Sequence, residues 1–155
     1  ASDLRMVITV IKTITDLERI GDEAQKVARM GKTIFLADRV HMPRFREIQK
    51  MAEVALAMLR HALDAFARLD VAGALDVARQ DRKLDEEFDA NFRQLVTFMM
   101  EDPRAISMSI DTIFMCKAIE RIGDHAKNIS EYVVYLVKGK DIRHTALEDV
   151  ERIEL

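Results

Sequence analysis

Glu18 and Asp22 stand four residues apart, and 102 positions later Glu120 and Asp124 repeat that spacing within a twice-written pentapeptide, Glu-Arg-Ile-Gly-Asp. Residues four apart share one face of an α-helix, so each pair sets two carboxylates about a turn from one another. Asp81 and Asp85 form a third pair with the same spacing. Carboxylates gathered in this way repel, and burying one without a partner costs on the order of several kcal/mol. Two kinds of cation can offset that cost. Arg79, Arg82, Lys83, Lys117 and Arg121 are close in sequence, and Arg19 can pair with Glu23 one turn on. Charged helix faces are usually solvated and salt-bridged, and spacing alone slightly favours that reading. The sharper alternative is a hard-metal site, because all-oxygen carboxylate clusters suit iron, manganese, magnesium or calcium. Asn128, one turn past Asp124, is a candidate for an additional oxygen ligand; the matching position after Asp22 is Lys26.

Gly21 and Gly123 sit just before the second carboxylate of each repeat. A glycine inside a helix costs about 1 kcal/mol relative to alanine. The simplest compensation is close approach of a neighbour or ligand to the backbone.

Other chemistry finds no support. A di-iron oxidase of the ferritin type needs Glu-x-x-His on its helices, whereas His125 directly follows Asp124 and Met58 stands three residues before His61. Zinc-hydrolase, nucleophile-elbow and phosphate-loop signatures are absent from the chain. His41, His61 and His144 read as surface or capping residues. Cys116, in the apolar run IFMCKAI, reads as a small core residue rather than a nucleophile.

These residues must be positioned by helices. The chain has 155 residues, 49% hydrophobic and 33% charged, with five Gly, two Pro and no Trp, a composition that favours an all-α fold. One cysteine builds no disulfide framework, and no run approaches the roughly 20 apolar residues of a membrane span. A net charge of −3 without a basic cluster leaves no footprint of nucleic-acid binding. No signal peptide is visible, so the cytosol is the expected compartment, although a chain beginning at Ala1 can lack an N-terminal part that held one.

Apolar residues recur at spacings of three and four through Phe45, Ile48, Ala52, Ala55, Leu59, Ala62, Phe66 and Leu69, predicting a helix over 44–70. Leu4, Val7, Ile11 and Ile14 predict another, from about Asp3 to Arg29 or beyond, whose apolar seam runs into Glu18. Pro43 suits the first turn of the second helix, leaving 38–43 as a loop. A third helix, 71–101, starts after an Asp70 cap and ends before Pro103. Its stripe of Ala74, Ala78, Asp81, Asp85, Phe88, Phe92, Leu95 and Met99 places two aspartates at core-like steps. The fourth helix, about 104–138, stops at Gly139, and its seam of Ile106, Ile110, Ile113 and Lys117 turns acidic at Glu120 and Asp124. Short connections make the last three helices an antiparallel bundle. The repeat then divides the chain into a terminal helix of a truncated first three-helix bundle (1–37), a complete second bundle (44–138) and a tail (139–155). Helix one would expose its apolar face unless it packs on the second bundle, on another copy of the chain or on further residues.

The runs ASDLRMVITVIKTITDLERIGDEAQKVAR, LDAFARLDVAGALDVARQDRKLDEEF and MMEDPRAISMSIDTIFMCKAIERIGDHAKNISEYVVYLVKGKDIRH closely resemble the PhoU family of bacterial phosphate-transport regulators. The resemblance implies tandem three-helix bundles, and two further helices before Ala1. It implies metal at E-x-x-x-D and D-x-x-x-D motifs, assigning Glu18 and Asp22 to a first cluster that lacks its partner helix. Asp81, Asp85, Glu120 and Asp124 go to a complete second cluster. Iron is the metal it implies first, then manganese, magnesium or zinc.

The function implied is not enzymatic. It is negative regulation of phosphate uptake and of the phosphate-starvation two-component response, by a cytoplasmic helical adaptor between the Pst transporter and a PhoR-type sensor histidine kinase. The implied partners are that kinase, the PstB-type ATPase and a second copy in a homodimer, with membrane association only through partners. The competing readings are a carboxylate-bridged metalloenzyme and a metal-free dimeric scaffold.

Overall fold

In the computed structural model the described residues are 2–37, 45–139 and 149. They form four long helices: α1 (Ser2–Leu36), α2 (Phe45–Arg68), α3 (Val71–Glu101) and α4 (Ile106–Lys138), with one 3-10 turn at Pro103–Ala105. The chain is all-α, as its composition predicts. The 38–43 loop, Pro43 and the tail beyond Gly139 lie outside the described residues, save for residue 149.

Local chemistry sets the helix ends. Leu69 takes φ 54, which breaks α2. The Asp70 carboxylate then accepts the Gly73 N–H at 3.1 Å and caps α3. Asp102 closes α3 and accepts the Arg104 N–H at 3.0 Å, opening the turn into α4. Gly139 ends α4 at φ 70, with its N–H donating to the Tyr135 carbonyl at 2.9 Å.

α4 is the hub. α2 and α3 pack on it and on each other, while α1 docks chiefly on α4. α1 and α4 run antiparallel: Arg5 reaches Gly139, Asp16 meets His125, and Glu23 meets Arg121. The main core runs from Ile34 through Met51, Met58, Val77 and Leu84 to Ile119 and Ile129. A smaller cluster of Ala65, Ala74, Leu75, Val133 and Val134 lies near the α2–α3 turn. Cys116 is buried, as read from its surroundings, and burial pushes its thiol up to about 11.

One prediction of phase is overturned. Leu4, Val7, Ile11 and Ile14 are 65%, 55%, 59% and 59% exposed. The stripe facing α4 is instead Thr9, Thr13, Asp16, Ile20, Glu23 and Ile34. Both stripes obey the three-four rule. The polar one wins because the face of α4 that meets it carries Arg121, His125, Asn128 and Tyr132, which an aliphatic seam would leave unpaired. α2 keeps its predicted phase at Ile48, Ala55 and Ala62, with Met51 and Met58 filling the core beside them. On α4, Ile106 and Ile110 are half exposed, and Ser109, Thr112, Met115 and Ile119 face inward.

Candidate functional site

α3 and α4 bring three of the predicted carboxylates together. One oxygen each from Asp81, Asp85 and Asp124 lies within 4.8 Å of the others. Asp81 is buried, and Asp124 is less so. The convergence follows from the backbone: Asp81 follows Val77 and precedes Leu84 on the inward face of α3, and Asp124 follows Gly123 on α4. A Cβ on Gly123 would collide with the fully buried Leu84 side chain and touch Met58. This glycine therefore answers the close-approach expectation. Gly21 does not, since no described residue lies within 4 Å of where its Cβ would stand.

The charges strain one another. Burial first, then Glu120, Asp81 and Asp85, push the Asp124 carboxyl up to about 6. Burial, with Asp81 and Glu120 behind it, also raises Asp85. Two ammonium groups answer. Lys127 Nζ meets Asp81 Oδ2 at 3.1 Å, and Lys117 pairs with Glu120. Burial is the largest influence on the Lys127 ammonium and works against it, yet Asp81, Glu131 and Asp85 together outweigh it and its pKa is raised. Among the described residues four carboxylates then face two ammoniums, leaving an excess of two negative charges. Among the described residues the buried Asp81 Oδ1 has no hydrogen-bond partner. An orphaned carboxylate oxygen beside two further carboxylates is a donor set suited to a hard divalent cation.

The remaining sequence-predicted residues lie elsewhere. Glu120 stands outside the three-oxygen group and bears on it as a neighbouring charge. Glu18 and Asp22 are exposed on α1. Asn128 faces α1, donating to Asp16 Oδ1 at 3.1 Å, so its amide is engaged away from the acidic cluster. Glu23 pairs with Lys26 at 3.0 Å and Arg121 at 3.5 Å, not with the Arg19 that i,i+4 spacing suggested.

A second polar centre escaped the sequence reading. The buried Asp16 accepts from His125 Nδ1 at 2.7 Å, Asn128 Nδ2 at 3.1 Å and the Tyr132 hydroxyl at 2.7 Å. Three donors on one carboxylate fasten α1 to α4. The signal was the second three-four stripe of α1, Thr9-Thr13-Asp16-Ile20-Glu23, which the apolar stripe overshadowed. Lys127 was missed as well; it lies three residues past Asp124, within reach of the same cluster.

A helical bundle whose central helix presents a carboxylate cluster to one neighbour and a polar clasp to another defines an all-α class. None of the described helices is long and apolar enough to cross a membrane. The PhoU domain family matches residues 1–30 and 48–133, and the chain belongs to that family. It is 50% identical over 149 residues to a phosphate-specific transport system accessory protein PhoU homolog of Pseudomonas putida, covering 96% of this chain and 57% of that protein. It is 41% identical over 153 residues to the phosphate-specific transport system accessory protein PhoU of Escherichia coli K12, covering 99% of this chain and 63% of the relative. The crystal structure of PhoU from Pseudomonas aeruginosa superposes with a TM-score of 0.85 at 47% identity, over 90% of this chain and 66% of that one. The chain thus spans about three fifths of the length of these curated relatives.

Proposed function

We propose that this protein is a regulatory accessory of phosphate transport that restrains uptake and the phosphate-starvation response when phosphate suffices. It acts without catalysis, from the cytoplasm, by docking on a PhoR-type sensor kinase and a PstB-type transporter ATPase. The relatives' names support the transport half of this reading. The site supports an adaptor that needs a metal to be rigid. The orphaned Asp81 Oδ1 carries that proposal: Asp81, Asp85 and Asp124 would hold a hard cation, iron first, with Glu120 lending charge. A bound cation would supply the charge that Lys117 and Lys127 leave uncompensated and would fasten α3 to α4. Glu18 and Asp22 are proposed as half of a first site, completed by carboxylates from two helices that pack against the outer face of α1. The exposed row of Leu4, Val7, Ile11 and Ile14 is the surface such helices would cover.

The test is elemental analysis of purified protein beside an Asp85→Asn/Asp124→Asn double variant, with capture of the kinase and ATPase measured on both. Bound metal lost in the variant, with weaker capture, is expected. Metal-free protein that refuses added iron and manganese would leave the salt-bridged scaffold reading, which the Lys127–Asp81 and Lys117–Glu120 pairs favour. Unchanged capture in a metal-depleted variant would sink the adaptor mechanism.

A further inference from the structure

On the side of α1 that carries the polar stripe, an open cleft of about 270 Å³ runs between α1 and α4. Four cations line it: Arg19, Lys26 and Arg29 from α1, and Arg121 from α4. Among the described residues lining it, two carboxylates oppose them, Asp22 and Glu23. Glu23 is buried and spends its charge on holding Lys26 at 3.0 Å and Arg121 at 3.5 Å, which orients both while leaving them about half exposed. Among the described residues Arg19 and Arg29 pair with no carboxylate. His125 also lines the cleft, with its Nδ1 already committed to Asp16 on the opposite helix. The chain as a whole carries a net charge of −3, so this local surplus of positive charge runs against the molecule. Guanidinium forks match the geometry of tetrahedral oxyanions, and three of the four cations are arginines.

We propose that this cleft is an oxyanion site that takes inorganic phosphate. The anion would bridge Arg19 and Arg29 on α1 to Arg121 on α4, and so tighten the same helix contact that Asp16 clasps. The cleft is separate from the Asp81–Asp85–Asp124 cluster, which lies between α3 and α4, and needs no metal. The choice of phosphate among oxyanions rests on the phosphate-transport reading above, whereas the cleft itself does not.

The test is calorimetric titration of inorganic phosphate into chelator-treated protein, with sulfate and chloride at matched ionic strength as comparators. Phosphate should bind and should raise the melting temperature. In Arg19→Gln/Arg29→Gln, whose altered side chains are exposed, affinity should fall roughly tenfold or more with the apo melting temperature retained. Asp22→Asn, which removes an opposing charge, should tighten binding. Binding no stronger than that of chloride, or equal affinity in the double arginine variant, overturns the site. Equal affinity for sulfate keeps the cleft and overturns the choice of phosphate. Protein that ignores phosphate yet captures the transporter ATPase loses the cleft and keeps the regulatory reading; phosphate binding without any capture does the reverse.

Discussion

Asp124 shows how one residue can record a missing counter-charge. Its folded carboxyl titrates near 6 against an ordinary 3.8, because burial and three neighbouring acids disfavour the anion. The native state therefore holds a proton that the unfolded chain has already released. Metal-free protein should lose stability as pH rises from about 4 through about 6 and level off above, in denaturant titrations across that range. A hard cation added above that range should restore the loss. By the same logic Asp124→Asn should raise the melting temperature in chelator and lose the metal-induced gain, whereas a salt-bridged cluster would show no metal-dependent gain in either protein. The paired glycines separate in the same way. Gly123→Ala should destabilise by roughly 1–3 kcal/mol, since the fully buried Leu84 side chain must shift to admit the Cβ. Gly21→Ala meets open space and should stabilise by about 0.5–1 kcal/mol. Chemical denaturation of both variants checks the contrast. Identical pentapeptides could not reveal this difference, because what distinguishes them is the neighbour across the helix, not the residues beside them.

At the scale of elements, α3 was legible almost to the residue, since Asp70 and Pro103 are local signals that act on local backbone. The phase of α1 was not. That helix carries two stripes of equal period, and the more hydrophobic one is the more visible. Which stripe faces inward depends on α4, where His125, Asn128 and Tyr132 select a carboxylate as their partner. The acidic cluster could be read because i,i+4 spacing fixes two carboxylates on one helix face; its third member depended on how α3 and α4 cross. Asp16→Ala would strand three donors at a buried contact and should cost about 2–4 kcal/mol. Hydrogen exchange should speed up in α1 while α2, α3 and the inner face of α4 remain protected. Uniform acceleration across all four helices would mean that α1 is an integral part of the bundle core.

For the whole molecule, α1 has two working faces, one clasped to α4 and one lined with exposed aliphatic side chains. Exposed apolar area of that extent on a single helix marks an interaction surface. Ile11→Glu should leave intramolecular stability within about 0.5 kcal/mol, because the residue is exposed, yet should weaken capture, measured by sedimentation, of a separate polypeptide carrying the two helices proposed to cover this face. A variant that associates as the parent does would remove the outer face of α1 from the interface. The overall architecture was readable from composition and periodicity, while the central role of α4 was not, since a hub is defined by partners distant in sequence.

That distance shapes how the molecule is made. α2, α3 and α4 are joined by short connections and meet neighbours close along the chain, whereas Asp16 waits for groups 109, 112 and 116 residues downstream. Loop-closure entropy over that length favours formation of the α1–α4 clasp after the α2–α3–α4 contacts. During synthesis α1 emerges before α4 and stays without its clasp until nearly the whole of α4 has followed. The clasp face of α1, Asp16 included, is open to water throughout that interval, so a ribosome that pauses within α4 holds a chain whose α1 contact is still unmade.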